Sequence, residues 1–103
     1  MRTVITALHC EIPEALKARA EAIGDRLGHL ASRGHECTIV FNVEGANSTA
    51  TAEVRLHIRR GKLLVAKGED TDHRTALDRA EEKLRNQLDK AVKPGTRARA
   101  SGA

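Results

Sequence analysis

The chain contains one phenylalanine and no tyrosine or tryptophan. Modules that read single-stranded bases stack them on aromatic side chains, so this composition argues against base stacking as the main mode of recognition. Its two cysteines, Cys10 and Cys37, form neither a C-x-x-C pair nor a disulfide framework, and reduced thiols are expected. No apolar run approaches the roughly 18 residues of a membrane span. The first sixteen residues hold no apolar stretch long enough for a signal peptide and meet an acid and a proline early, so a cytoplasmic location is expected. A length of 103 residues leaves room for one core, which rules out two separately folding domains, a large barrel enzyme and a full dinucleotide-binding fold.

Catalytic signatures are missing too. There is no Gly-rich phosphate loop, no G-x-S-x-G and no H-E-x-x-H. The five histidines, His9, His29, His35, His57 and His73, are scattered, and only His9 has a nucleophilic side chain, Cys10, beside it in sequence. His9-Cys10-Glu11 and His35-Glu36-Cys37 together imitate a metal site. Adjacent strand residues point to opposite faces, however, and no established ligand spacing is present. The reading is a non-enzymatic protein with no cofactor, no metal and no small-molecule substrate.

What the chain does have is charge. Lys and Arg number 18 against 14 Asp and Glu, a net charge of +4 with pI near 9.5. This excess favours a polyanionic partner. Arginine outnumbers lysine twelve to six, and its planar fork suits phosphate oxygens better than a lysine point charge does.

Hydrophobic periodicity gives the elements. Residues 2–8 are short and β-branched and read as a strand. After Pro13, Leu16, Ala20, Ile23, Leu27 and Leu30 fall on one face of a helix running from Glu14 to about Ala31, with Gly34 as its stop. Gly24 and Gly28 weaken that helix and permit close packing. Residues 37–44, 51–59 and 62–67 alternate as three strands, linked by a loop at 45–50 and a turn at Arg60-Gly61. In the middle strand Ala52, Val54, Leu56 and Ile58 point one way, and Thr51, Glu53, Arg55, His57 and Arg59 the other. Residues 68–72 read as a helix start, with Thr71 or Asp72 as N-cap. The acids Glu69, Asp70 and Asp72 are read there as capping and dipole-complementing groups rather than a cation site. The second helix runs from about His73 to Val92, with Leu77, Ala80, Leu84, Leu88 and Ala91 or Val92 toward the core. The predicted fold is α+β in the order β-α-β-β-β-α, a four-stranded sheet with two helices packed on one face. It forms a single domain over residues 1–92, followed by a disordered basic tail at 93–103.

The basic residues are distributed unevenly. No acid occurs from Val54 to Gly68, a stretch that holds Arg55, Arg59, Arg60, Lys62 and Lys67 with His57. On the second helix Arg79, Lys83, Asn86 and Lys90 recur at three- and four-residue steps and share one stripe beside the core face. Helix one adds Lys17, Arg19 and Arg26. A cationic surface for RNA phosphates and an ordinary solvated surface, partly neutralised by Glu81, Glu82 and Asp89, both fit this composition.

Three stretches carry a resemblance: residues 4–16 (VITALHCEIPEAL), 63–78 (LLVAKGEDTDHRTALD) and 81–90 (EEKLRNQLDK). The middle one resembles an acidic D-x-D helix start followed by an A-[IL]-D step, here Asp70, Asp72, Ala76, Leu77 and Asp78. The last resembles a K-L-x-x-Q-L-x-K pattern, here Lys83, Leu84, Gln87, Leu88 and Lys90. In their order and spacing the sequence resembles the ribosome hibernation-promoting factors, also called ribosome-associated inhibitors and, by an older name, sigma-54 modulation proteins. The resemblance implies a ribosome-binding domain that lies in the small subunit between head and body. There it would block the messenger and transfer RNA channel in stationary or stressed cells. With the acid-free stretch and the helical stripe, and with the resemblance around Lys83 and Lys90, the candidate contacts to ribosomal RNA are Arg55, Arg59, Arg60, Lys62, Arg79, Lys83 and Lys90. The chain departs from the family pattern at Ala7-Leu8, where Gly-Arg is usual, at Arg74, where an aromatic is usual, and at Asn86 and Asp89, where a base is common. The resemblance is to the short form or to an isolated N-terminal domain, and no C-terminal dimerisation domain is expected. The competing reading is a protein-interaction module that modulates a transcription or stress-response factor through its open sheet face or edge.

Overall fold

The computed structural model describes residues 2–31, 36–58 and 62–92. The stop at Gly34, the turn at Arg60-Gly61, the site residues Arg59 and Arg60 and the tail at 93–103 lie outside them. The elements are β1 (Arg2–Ala7), α1 (Glu14–Ala31), β2 (Glu36–Glu44), β3 (Thr49–Ile58), β4 (Lys62–Asp70) and α2 (His73–Val92). The sheet order is β1-β2-β3-β4. β1 pairs parallel to β2 because α1 carries the chain back across the sheet, while the short links make β2-β3-β4 an antiparallel meander. The predicted β-α-β-β-β-α fold with both helices on one face is the observed one.

The core forms where the two helical stripes meet the inward rows of the sheet. Leu16, Ala20, Ile23 and Leu27 of α1, with Ala76, Leu77, Ala80, Leu84 and Leu88 of α2, close over Cys37, Ile39, Phe41, Ala52, Val54, Leu56, Leu64 and Ala66. Two ion pairs set the helices against each other, Arg19 to Asp78 at 2.8 Å and Arg26 to Glu81 at 3.0 Å. Gly24 lets α1 settle onto β1, since a Cβ there would lie 2.5 Å from the hydroxyl of Thr3.

Three expectations are corrected. Leu30 sits at the right angle for the core stripe yet is 48% exposed. Gly24 already rests on Thr3, at the start of β1, so the last turns of α1 run past the end of the strand beneath them. Residues 68–70 are strand rather than helix start: Gly68, Glu69 and Asp70 pair with Ala52, Thr51 and Ala50. Thr51, on the outward row of β3, is buried between Asn42 and Glu69 of its neighbouring strands.

Asp72 provides the N-cap of α2. Its carboxylate accepts the backbone N–H of Thr75 at 2.9 Å and the Thr75 hydroxyl at 3.0 Å. These bonds hold its pKa below the ordinary aspartate value. A carboxylate depressed on folding contributes stability that is present above its unfolded pKa and is lost as pH falls through the folded one. Asn caps nearly as well but does not titrate. Asp72→Asn is therefore expected to leave the urea midpoint at neutral pH almost unchanged and to flatten the loss of stability as pH falls through and below the ordinary aspartate range. Parallel acid limbs for the two proteins would show that this cap contributes nothing to acid sensitivity.

Candidate nucleic-acid interface

The basic stripe of α2 lies along the outer edge of the sheet. α2 returns antiparallel to β4, and four helical residues advance about 6 Å, close to the 6.6 Å of two strand residues. Side chains four apart on α2 therefore step back along β4 two or three residues at a time. Arg79 approaches Asp70 at 3.4 Å, Lys83 Nζ donates to the Lys67 carbonyl at 2.9 Å, and Gln87 Nε2 donates to the Val65 carbonyl at 2.7 Å. Lys90 continues the line and is exposed, as is Lys62 where β4 begins. The same antiparallel path brings Lys90 and Lys62 to one end of the molecule.

The structure thus gathers Arg79, Lys83, Lys90 and Lys62 along the α2–β4 edge. It does not gather Arg55 with them. Arg55 stands on the open sheet face between Thr38 and Val65, and its guanidinium lies 2.7 Å from the carboxylate of Glu53. The bases of α1 are also turned elsewhere: Lys17 approaches Glu14 at 3.8 Å, while Arg19 and Arg26 engage α2.

α2 is divided by charge around its axis. Asp78 and Glu81 face α1 and hold its arginines, while Arg79 and Lys83 face β4. Two acids, Glu69 and Glu82, share the cleft lined by Lys67, Arg79 and Lys83, so the edge carries spaced cations rather than a uniform basic patch.

The stretch without acids in sequence is not free of them in space. Strand pairing sets Glu36 across from His57 and Glu53 across from Lys67. Glu44 clasps the Lys67 ammonium at 2.8 and 2.9 Å, and this hydrogen bond raises the lysine above its ordinary pKa. The open face is consequently mixed in sign, with the exposed apolar side chains Leu63 and Val65 among its charges.

Sequence reasoning missed Gln87 as a partner of Lys83, although its four-residue offset was the available signal. It also left Arg74 and Arg85, both exposed, out of the candidate contacts. Arg74 borders a groove of about 520 Å³ between the starts of the two helices, lined by Pro13, Ala15, Leu16, Arg19, Asp72 and His73.

Among the described residues no group of three His, Cys, Asp or Glu side chains is placed to hold a metal ion. Cys37 is fully buried in the core, and burial pushes its thiol up to about 11, whereas Cys10 is half-buried. A thiol-specific alkylating reagent at neutral pH is expected to modify Cys10 and to reach Cys37 only after unfolding, because the thiolate is the reacting form. Mass spectrometry of the labelled native protein checks this, and early double labelling would contradict the buried placement of Cys37.

The profile of the family described as "Sigma 54 modulation protein / S30EA ribosomal protein" matches residues 3–93. The chain belongs to this family. Among solved structures it is similar to a ribosomal subunit interface protein from Coxiella burnetii, with a TM-score of 0.79 and 21% identity over 89% of this chain and 98% of that one. It is also similar to the N-terminal domain of Protein Y from Thermus thermophilus, with a TM-score of 0.69 and 26% identity over 84% and 92%. No curated protein sequence matches the chain. Family membership carries a ribosome-associated function in general terms. Among the described residues no helix is long and apolar enough to cross a membrane.

Proposed function

We propose that this protein binds the small ribosomal subunit and silences translation by occupying the messenger and transfer RNA channel in stressed or stationary cells. The observation that carries the reading is the line of cations along the α2–β4 edge, Arg79, Lys83 and Lys90 with Lys62 at its end, in a chain of this family. A row of spaced cations neutralises phosphates along a folded RNA backbone, and a chain with one aromatic residue grips backbone and shape rather than bases. Arg55, Arg59 and Arg60 form a second group of candidate contacts. Arg55 must exchange its bond to Glu53 for a phosphate, so it contributes less than its charge implies. No covalent step is needed, because occupancy of the channel is itself the inhibition.

The exposed Leu63 and Val65 on the open face favour a second reading, a protein-interaction module acting on a transcription or stress-response factor. Sedimentation of a cell extract through a sucrose gradient separates the two. The proposed function places the protein with small subunits or whole ribosomes. A wholly free pool bound to a defined non-ribosomal protein would replace it with the second reading.

A further inference from the structure

Among the described residues β4 ends the sheet, and its second row of backbone groups has no strand partner there. Edge strands of this kind template pairing with another chain. Here two consecutive outward carbonyls, those of Val65 and Lys67, are taken by Gln87 and Lys83 of the same molecule, at 2.7 and 2.9 Å. Both donors come from one stripe of α2, and both are long enough to reach past the helix and over the strand. We propose that Lys83 and Gln87 form a lock on the β4 edge, and that the partner this lock excludes is a second copy of the chain.

The edge suits its own copy. In an antiparallel pair related by a two-fold axis at Ala66, Lys62 stands opposite Asp70 of the second copy at both ends. Val65 stands opposite the alkyl stem of Lys67, on the face where Val65 and Leu63 are already exposed. Apolar surface, opposite charges and unpaired backbone thus coincide on one strand, and the lock removes the backbone component. The inference does not depend on ribosome binding, and its test involves no ribosome.

The test is sedimentation equilibrium of the isolated protein, wild type against Lys83→Ala/Gln87→Ala. Lys83 is exposed and Gln87 is partly so, and alanine is the best helix former, so circular dichroism should report an intact α2. The lock predicts a monomeric wild type and at least about tenfold tighter self-association for the double variant, the scale of two freed hydrogen-bonding groups. Adding Val65→Lys to the double variant, which charges the pairing edge at an exposed site, should return it to monomer. Lys83→Arg/Gln87→Lys, which keeps both donors, should remain monomeric throughout. Should the double variant fail to fold, Gln87→Leu alone is read in the same way. Unchanged association on removing the donors, or a dimer indifferent to Val65→Lys, overturns the proposal.

Discussion

Gly68→Ala, which adds a single methyl group, is expected to lower the unfolding free energy by about 1–3 kcal/mol or more, the range of overpacked cores. Gly68 lies in β4 directly beneath α2. A Cβ at this position would collide with the carbonyl oxygen of Ala76 and come within 2.7 Å of the Ala80 backbone nitrogen and 3.0 Å of the Arg79 Cβ. Two of these three atoms are helix backbone, which has no rotamer to escape into. The helix must therefore lift off the strand. The residues facing Gly68 are themselves small, since Ala76 and Ala80 are fully buried there, so the close approach is built from both sides. Lifting α2 would also pull Lys83 and Gln87 away from the carbonyls they hold on β4. Gly45 provides the contrast. A Cβ there meets nothing within 4 Å, and its requirement for glycine comes only from a φ of 80°. Urea unfolding of Gly68→Ala checks the expectation. A loss within about 0.5 kcal/mol, the scale of an ordinary surface substitution, would mean that α2 does not approach β4 as closely as described.

Reversing Lys62 and Lys90 together, as Lys62→Glu/Lys90→Glu, is expected to weaken small-subunit binding by about 10- to 100-fold at low salt. Both side chains are exposed, so the fold should be unaffected, and the antiparallel path of β4 and α2 places them at one end of the cationic line. Each reversal removes one phosphate contact and adds one repulsion. Two lost contacts of about 1 kcal/mol each already amount to roughly 30-fold. The salt dependence should flatten by somewhat under two units of slope. These two positions isolate the electrostatic contribution better than Lys83, whose replacement also releases the Lys67 carbonyl. Filter binding of labelled protein to purified small subunits reads both quantities. An affinity and slope equal to wild type, with the fold intact, would remove this end of the edge from the interface.

Much of this architecture is legible in the residues because one-dimensional periods report orientation. The alternation of Ala52, Val54 and Leu56 fixes which face of β3 is buried, and the spacing of Leu77, Ala80, Leu84 and Leu88 fixes the inner face of α2. Periodicity does not report where a neighbouring element ends, so Leu30 looks like core and is exposed. Composition misleads at residues 68–70, where glycine and acids resemble a turn. Those residues stay in register with β3, and the glycine is there because α2 presses on it. The site was the less legible part. Its cations were visible as a helical stripe on α2, but their position along β4 depends on the path of the chain between the two elements. The acid-free run from Val54 to Gly68 was real in sequence and lost in space, because β2 sets Glu36 across from His57, the Glu44 side chain holds Lys67, and Glu53 pairs with Lys67 from β3. Of the three acids before α2, Asp72 could be read correctly, since capping is a local interaction and it binds Thr75 three residues on, whereas Glu69 and Asp70 belong to β4.

The central claim is that this protein holds ribosomal RNA through phosphates, and the salt dependence of its affinity for purified small subunits tests that claim most directly. Counterion release makes log affinity fall linearly with log salt, in proportion to the number of phosphates neutralised. With about five contacts, drawn from Lys62, Arg79, Lys83, Lys90 and the Arg55–Arg60 group, the expected slope is roughly −3 to −4. A slope near zero with binding retained would contradict the phosphate grip and turn attention to the apolar open face around Leu63 and Val65.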